Sequence, residues 1–175
     1  MTTRTIFENE LIQLRDDLKR MCFMVEAVYE KLFSAMQLGD RSTIIDISEQ
    51  DHQVRDMEKQ IESRCLSLIT KQQPVARDLR MVSASLKVVT DIKRVGDHVV
   101  DIAELLLRMN IKDFAAYSGH LDEMVRETKE MFHDSVGAFL KRSKDEAEQV
   151  IEKDDVIDEL FNTVKRDLIE HLKKD

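Results

Sequence analysis

Near the carboxyl end of this 175-residue chain, Asp154 and Asp158 stand one helical turn apart in the run EKDDVIDELF. The apolar residues around them, Val150, Ile157, Phe161, Val164 and Leu168, recur in helical steps that put Asp154 in line with a core-facing stripe. Two carboxylates on an inward face are costly unless paired, hydrogen-bonded or bound to a cation, so this DxxxD pair is a candidate metal platform. A slightly rotated helix would instead turn Asp158 to solvent or to a basic neighbour, and both readings stay open. Upstream, Asp51 lies on a similar stripe with Ile47, Val54, Met57 and Ile61, but the residue one turn later is Arg55. Further on, Lys93 precedes Asp97 by one turn, with His98 and Asp101 close behind and Gly96 leaving room for another helix to approach. If Asp51 and Asp97 face each other, Arg55 and Lys93 supply the positive charge a metal would otherwise bring, and His98 and Asp101 remain as further candidate ligands.

Two ExxH pairs, Glu49 with His52 and Glu130 with His133, have the spacing used by di-iron helical bundles. Glu49 falls on the opposite side of its helix from Ile47, so that pair points mostly off the core stripe. No glycine-rich phosphate loop, nucleophile elbow or catalytic Cys/His constellation is present in the sequence. The chain is therefore expected not to be an enzyme.

Long helices must position these residues. Four Gly, one Pro and no Trp leave little material for the tight turns of a sandwich, barrel or doubly wound sheet, while 42% apolar residues exclude a disordered tail. A net charge of −8 argues against a general nucleic-acid binder. The opening MTTRTIFENE lacks the layout of a signal peptide, and no apolar run reaches the roughly 20 residues needed to span a bilayer, so a soluble, cytoplasmic protein is expected. Cys22 and Cys65 lie singly among apolar residues and are expected to be free buried thiols.

Five helices are expected. The first opens at a capping box, Thr5 with Glu8, and runs to Leu38, where Gly39 offers a C-terminal cap and Asp40 an N-cap. The second continues to about Gln72, and the third runs from Val75, after Pro74, to about Met109, with apolar positions at Leu79, Val82, Leu86, Val89, Val99 and Ile102. The fourth spans about Asp113 to Arg142, with Gly119 favouring a later start. The fifth opens at a second capping box, Ser143 with Glu146. Long helices joined by short connections make antiparallel bundles.

A shift of 103 residues superposes Leu18 on Leu121, Ala35 on Ala138, Ile47 on Val150, Asp51 on Asp154 and Ile61 on Val164. The fold expected is all-α: tandem antiparallel three-helix bundles, 1–110 and 111–175, the second lacking its third helix. On that reading the chain is a fragment or its second unit borrows a helix.

The stretch QQPVARDLRMVSASLKVVTDIKRVGDHVVDIAE, Gln72 to Glu104, resembles the PhoU family in its QQPxAxDLR opening and its GDH segment. The resemblance extends over the spacing from Asp40 to Asp51 and over the repeat. It implies a cytoplasmic, often dimeric regulator of phosphate-starvation signalling, linking the phosphate ABC transporter ATPase to a sensor histidine kinase and meeting the membrane only through those partners. It also implies iron or zinc clusters held by acidic E/DxxxD pairs. Carried onto this chain, those pairs are Asp51 with Arg55 and Lys93 with Asp97, each with one acid lost to a base, and Asp154 with Asp158. A metal-binding bundle of another function and a regulatory module of another transporter are the alternatives.

Overall fold

The computed structural model describes residues 3–49, 52–72, 74–109 and 118–173, leaving aside the side chains of 3–5, 49, 72, 118 and 172. These form six helices: α1 (Thr3–Leu38), α2 (Arg41–Glu49), α3 (His52–Gln72), α4 (Ala76–Arg108), α5 (Ser118–Lys141) and α6 (Lys144–Leu172). Where one continuous second helix is expected there are two described segments, α2 and α3, and residues 50 and 51 between them lie outside the described residues. The break at Asn110 to Asp113 does so too. The structure already has helix at Thr3, so Thr5 is inside α1 and does not cap it.

Apolar stripes on α1, α3 and α4 close on one another. Leu14, Leu18, Met21 and Val25 of α1 meet Ile61, Cys65 and Leu68 of α3 and Val82, Val89 and Ile92 of α4. Each such side chain removed from water contributes roughly 1.5–3 kcal/mol. A second cluster, nearer the α1–α2 turn, joins Leu32, Ala35 and Met36 to Ile44 and Ile47 of α2 and to Val99, Ala103 and Leu106 of α4. Leu79, expected among the apolar contacts of α4, is instead exposed. Arg64 of α3 ties back to α1, donating to Asp17 at 2.9 Å, to Glu10 at 2.7 Å and to Gln13 at 2.8 Å. Both cysteines are free and buried. Burial pushes the Cys65 thiol up to about 11 and the Cys22 thiol still higher, which keeps both unreactive.

Helix α5 lies along α1 in the opposite direction. Arg15 reaches the Leu140 carbonyl, His133 meets Glu26 at 2.7 Å, Tyr29 donates to the Val125 carbonyl at 2.9 Å and Gln37 donates to Asp122 at 2.9 Å. Helix α6 returns along α5, with Lys153 on Asp134 at 2.7 Å and His120 on Asp167 at 2.8 Å.

The repeat recurs bond by bond in the backbone. At the end of α1, Gly39 takes φ 68, the Gly39 N–H donates to Met36 and the Asp40 N–H to Ala35. At the end of α5, 103 residues on, Arg142 takes φ 56, its N–H donates to Phe139 and the Ser143 N–H to Ala138. Both turns are the left-handed C-terminal cap that closes a helix on its own last carbonyls. The next helices are then capped alike: Asp40 accepts from the N–H groups of Ser42 and Thr43, and Ser143 Oγ from that of Glu146. The second capping box is only half made, because the Ser143 N–H is already committed to Ala138 and the Glu146 carboxylate takes Lys141 at 2.9 Å.

Candidate functional site

Gly96 of α4 faces the seam with α3. A Cβ added there would meet Val25 of α1 and Val54 of α3 at 3.5 Å each, so three helices converge at this point. One residue on, Asp97 accepts a hydrogen bond from Lys93 Nζ at 2.5 Å, both side chains about one quarter exposed. That bond is the first cause holding the Lys93 ammonium above its ordinary range. Glu58 of α3 completes the local charge set. Its carboxyl is pushed up by burial first and then by Glu62 and Asp97, against the lowering influence of Lys93 and Arg55. The seam thus carries interleaved acids and bases, with a lysine where a second carboxylate would stand.

Of the other candidate ligands, Asp51 lies outside the described residues. His98 and Asp101 pair weakly with each other at 3.5 Å and are about two thirds exposed. Asp154 and Asp158 of α6 are both exposed, not core-facing as the stripe suggested. The reason is that α6 packs chiefly on α5, which leaves Phe161 beside them 57% exposed and Ile151 71%. His52 is exposed, and the side chain of its partner Glu49 is outside the described residues. His133 does not turn to Glu130 but to buried Glu26, which also accepts from Cys22 Sγ at 3.4 Å.

Glu58 and Glu26 are the polar residues that sequence reasoning missed. Glu58 falls one turn after the core residue Val54 and Glu26 one turn after Cys22, so each carried the signal of an acid on the edge of an apolar stripe. Among the described residues no three His, Cys, Asp or Glu side chains converge as metal ligands. At the α3–α4 seam the described residues do not fit a metal ion: the Lys93 ammonium already sits on Asp97, and a second cation there would meet like charge.

A family model described as the PhoU domain matches residues 18–106 and 121–175, which takes in the seam, most of the α1–α5 joint and the whole of α6. The chain belongs to the PhoU family. A Clostridium acetobutylicum protein called phosphate-specific transport system accessory protein PhoU homolog is 35% identical over 174 residues, 99% of this chain and 80% of its own length. The Escherichia coli (strain K12) protein of that name, PhoU, is 29% identical over 169 residues, 97% of this chain and 70% of its own. The crystal structure of PhoU from Pseudomonas aeruginosa superposes with a TM-score of 0.82 at 24% identity, covering 97% of this chain and 81% of that one. The helical-bundle fold of the family is therefore the fold of this chain.

Proposed function

We propose that this protein is a non-enzymatic regulator of phosphate uptake, an adaptor between the phosphate ABC transporter ATPase and a sensor histidine kinase, working in the cytoplasm. What carries this reading is the run of relatives over nearly the whole chain that are called phosphate-specific transport system accessory proteins. The chain's own features support it. None of its helices is long and apolar enough to cross a membrane among the described residues. Deleting the gene is expected to derepress phosphate-starvation promoters in phosphate-replete medium, and supplying the 175-residue chain to restore repression. The purified chain should bind the transporter ATPase and the kinase cytoplasmic domain and turn over no substrate of its own. Unchanged repression in the deletion strain overturns the reading.

In this reading metal is not needed in the first unit, where Lys93 neutralises Asp97. Asp154 and Asp158 are the remaining carboxylate pair for iron or zinc. Association of two chains is part of the proposal as a property of the adaptor.

A further inference from the structure

Helix α1 packs on α2, α3, α4 and α5, and one of its faces is left over among the described residues. Ile12, Phe23, Ala27 and Leu38 fall on that face, with Asp16, Lys19, Glu30 and Ser34 between them in steps of three and four that keep one line down a helix. All eight are exposed, Phe23 at 47% and Leu38 at 83%. The repeat shows what a merely solvated face looks like. On α5 the counterparts of Phe23, Ala27 and Leu38 are Arg126, Glu130 and Lys141, likewise exposed. The apolar residues of α1 are therefore required neither by the duplicated pattern nor by either core cluster.

The face also fits itself. Ile12 and Leu38 stand thirteen residues to either side of Val25, Asp16 and Ser34 nine, and Phe23 and Ala27 two. A two-fold axis at that level lays two α1 helices antiparallel, so that each residue meets its counterpart across the axis. Ile12 then meets Leu38, and the large Phe23 ring meets the small Ala27. Beside Ala27 the face already has a hollow of about 410 Å³, walled by Lys19, Arg20 and Met24, that can receive the ring. Lys19 and Arg20 come level with Glu30 of the second copy, and Asp16 lies within a turn of its Lys31. These five charges leave one cation in excess in a chain of net charge −8, so two acidic molecules meet here where their like charge is least.

We infer that α1 pairs with α1 of a second copy, antiparallel and centred at the level of Val25. The inference rests on the association of two chains proposed above and names its surface. A helix of another protein would need a stripe on α1 but not one spaced evenly about a centre, and a bilayer would need neither.

The test uses the intact chain. Sedimentation velocity from about 1 to about 200 μM should show a reversible monomer–dimer equilibrium, and Phe23→Asp and Leu38→Asp should each weaken it by about tenfold or more. Both side chains lie on the exposed face, and circular dichroism verifies that the variants keep the fold. The register is read by cross-linking. Asp16→Cys and Ser34→Cys place thiols level with each other across the axis, while each lies about 27 Å from its own twin. Mild oxidation should link the two variants when they are mixed and neither when it is alone; the native Cys22 and Cys65 are buried. A chain that stays monomeric across that range overturns the inference, and with it the association of two chains. A dimer that neither aspartate weakens, or one that links within a single variant and not in the mixture, overturns the surface and leaves the association standing. A photocrosslinking residue at Ala27 that in cells joins only another protein or lipid overturns it as well. None of these readouts depends on repression, so the regulatory reading stands or falls separately.

Discussion

Arg142 holds a left-handed backbone position that an L side chain fills at a cost, while its repeat counterpart fills the same position with Gly39. Such a residue loses roughly 1–2 kcal/mol relative to its preferred backbone, part of which glycine returns in chain entropy. Arg142→Gly should therefore stabilise the protein by about 1 kcal/mol, read as a rise of a few degrees in Tm. Asp40, in the equivalent turn of the first unit, is held below the usual carboxylate range, first by the Thr43 hydroxyl and then by Ser42. A lowered acid contributes stability above its unfolded pKa and loses it as pH falls through its folded pKa. The Tm gap between wild type and Asp40→Ala should be widest near neutrality and narrow on acidification below the ordinary carboxylate range; a gap that does not change with pH contradicts this. Both caps were legible in sequence as residue types, Gly39 with Asp40 and Ser143 with Glu146. The conformation of Arg142 was not, because nothing in its type marks a left-handed turn, and only the repeat pairs it with a glycine.

At the scale of helices, the α3–α4 seam tests whether a side-chain cation stands where relatives of the resemblance would place metal. Lys93 is bonded to Asp97 and Glu58 sits in the same field, so Lys93→Met leaves two carboxylates less compensated. The side chains are partly solvated, so the loss is expected to be up to about 1 kcal/mol. The double change Arg55→Asp with Lys93→Glu adds two acids beside Glu58 and Asp97. It should make thermal stability respond to added zinc or ferrous iron, whereas the wild-type seam should not; calorimetry with and without metal separates the two. The helices α1, α4 and α6 were readable from apolar periodicity and breakers, since Pro74 and the Ser143 cap mark their ends chemically. The face that α6 shows to solvent was not, because periodicity identifies a stripe but not whether a partner covers it. Asp154 thus looked inward by its phase while standing in water.

For the whole molecule, α1 through α4 hold both buried clusters, and among the described residues of the α5–α6 hairpin Val136 is the one buried side chain that joins them. Residues 1–110 expressed alone should melt cooperatively with a strongly helical spectrum, and a non-cooperative profile refutes this. Among the described residues of α6 only Val164 is buried. Its amides should accordingly exchange at a lower opening free energy than those of α4, which hydrogen exchange with residue resolution decides. The duplication was visible as matching spacing at 103 residues, and the cap geometry repeats it. How the two units meet was not visible, because periodicity does not say which core a stripe joins: Phe132, Val136, Phe139 and Leu140 of α5 pack on the first cluster, and polar pairs such as Tyr29 with Val125 and Gln37 with Asp122, which no spacing marks, add to the joint. The left-handed turn at Arg142 also sets the phase between the two helices it joins. One residue inserted between Phe139 and Ser143 would break both cap bonds, rotate α6 by about 100° about its axis and carry Val164 out of its buried position.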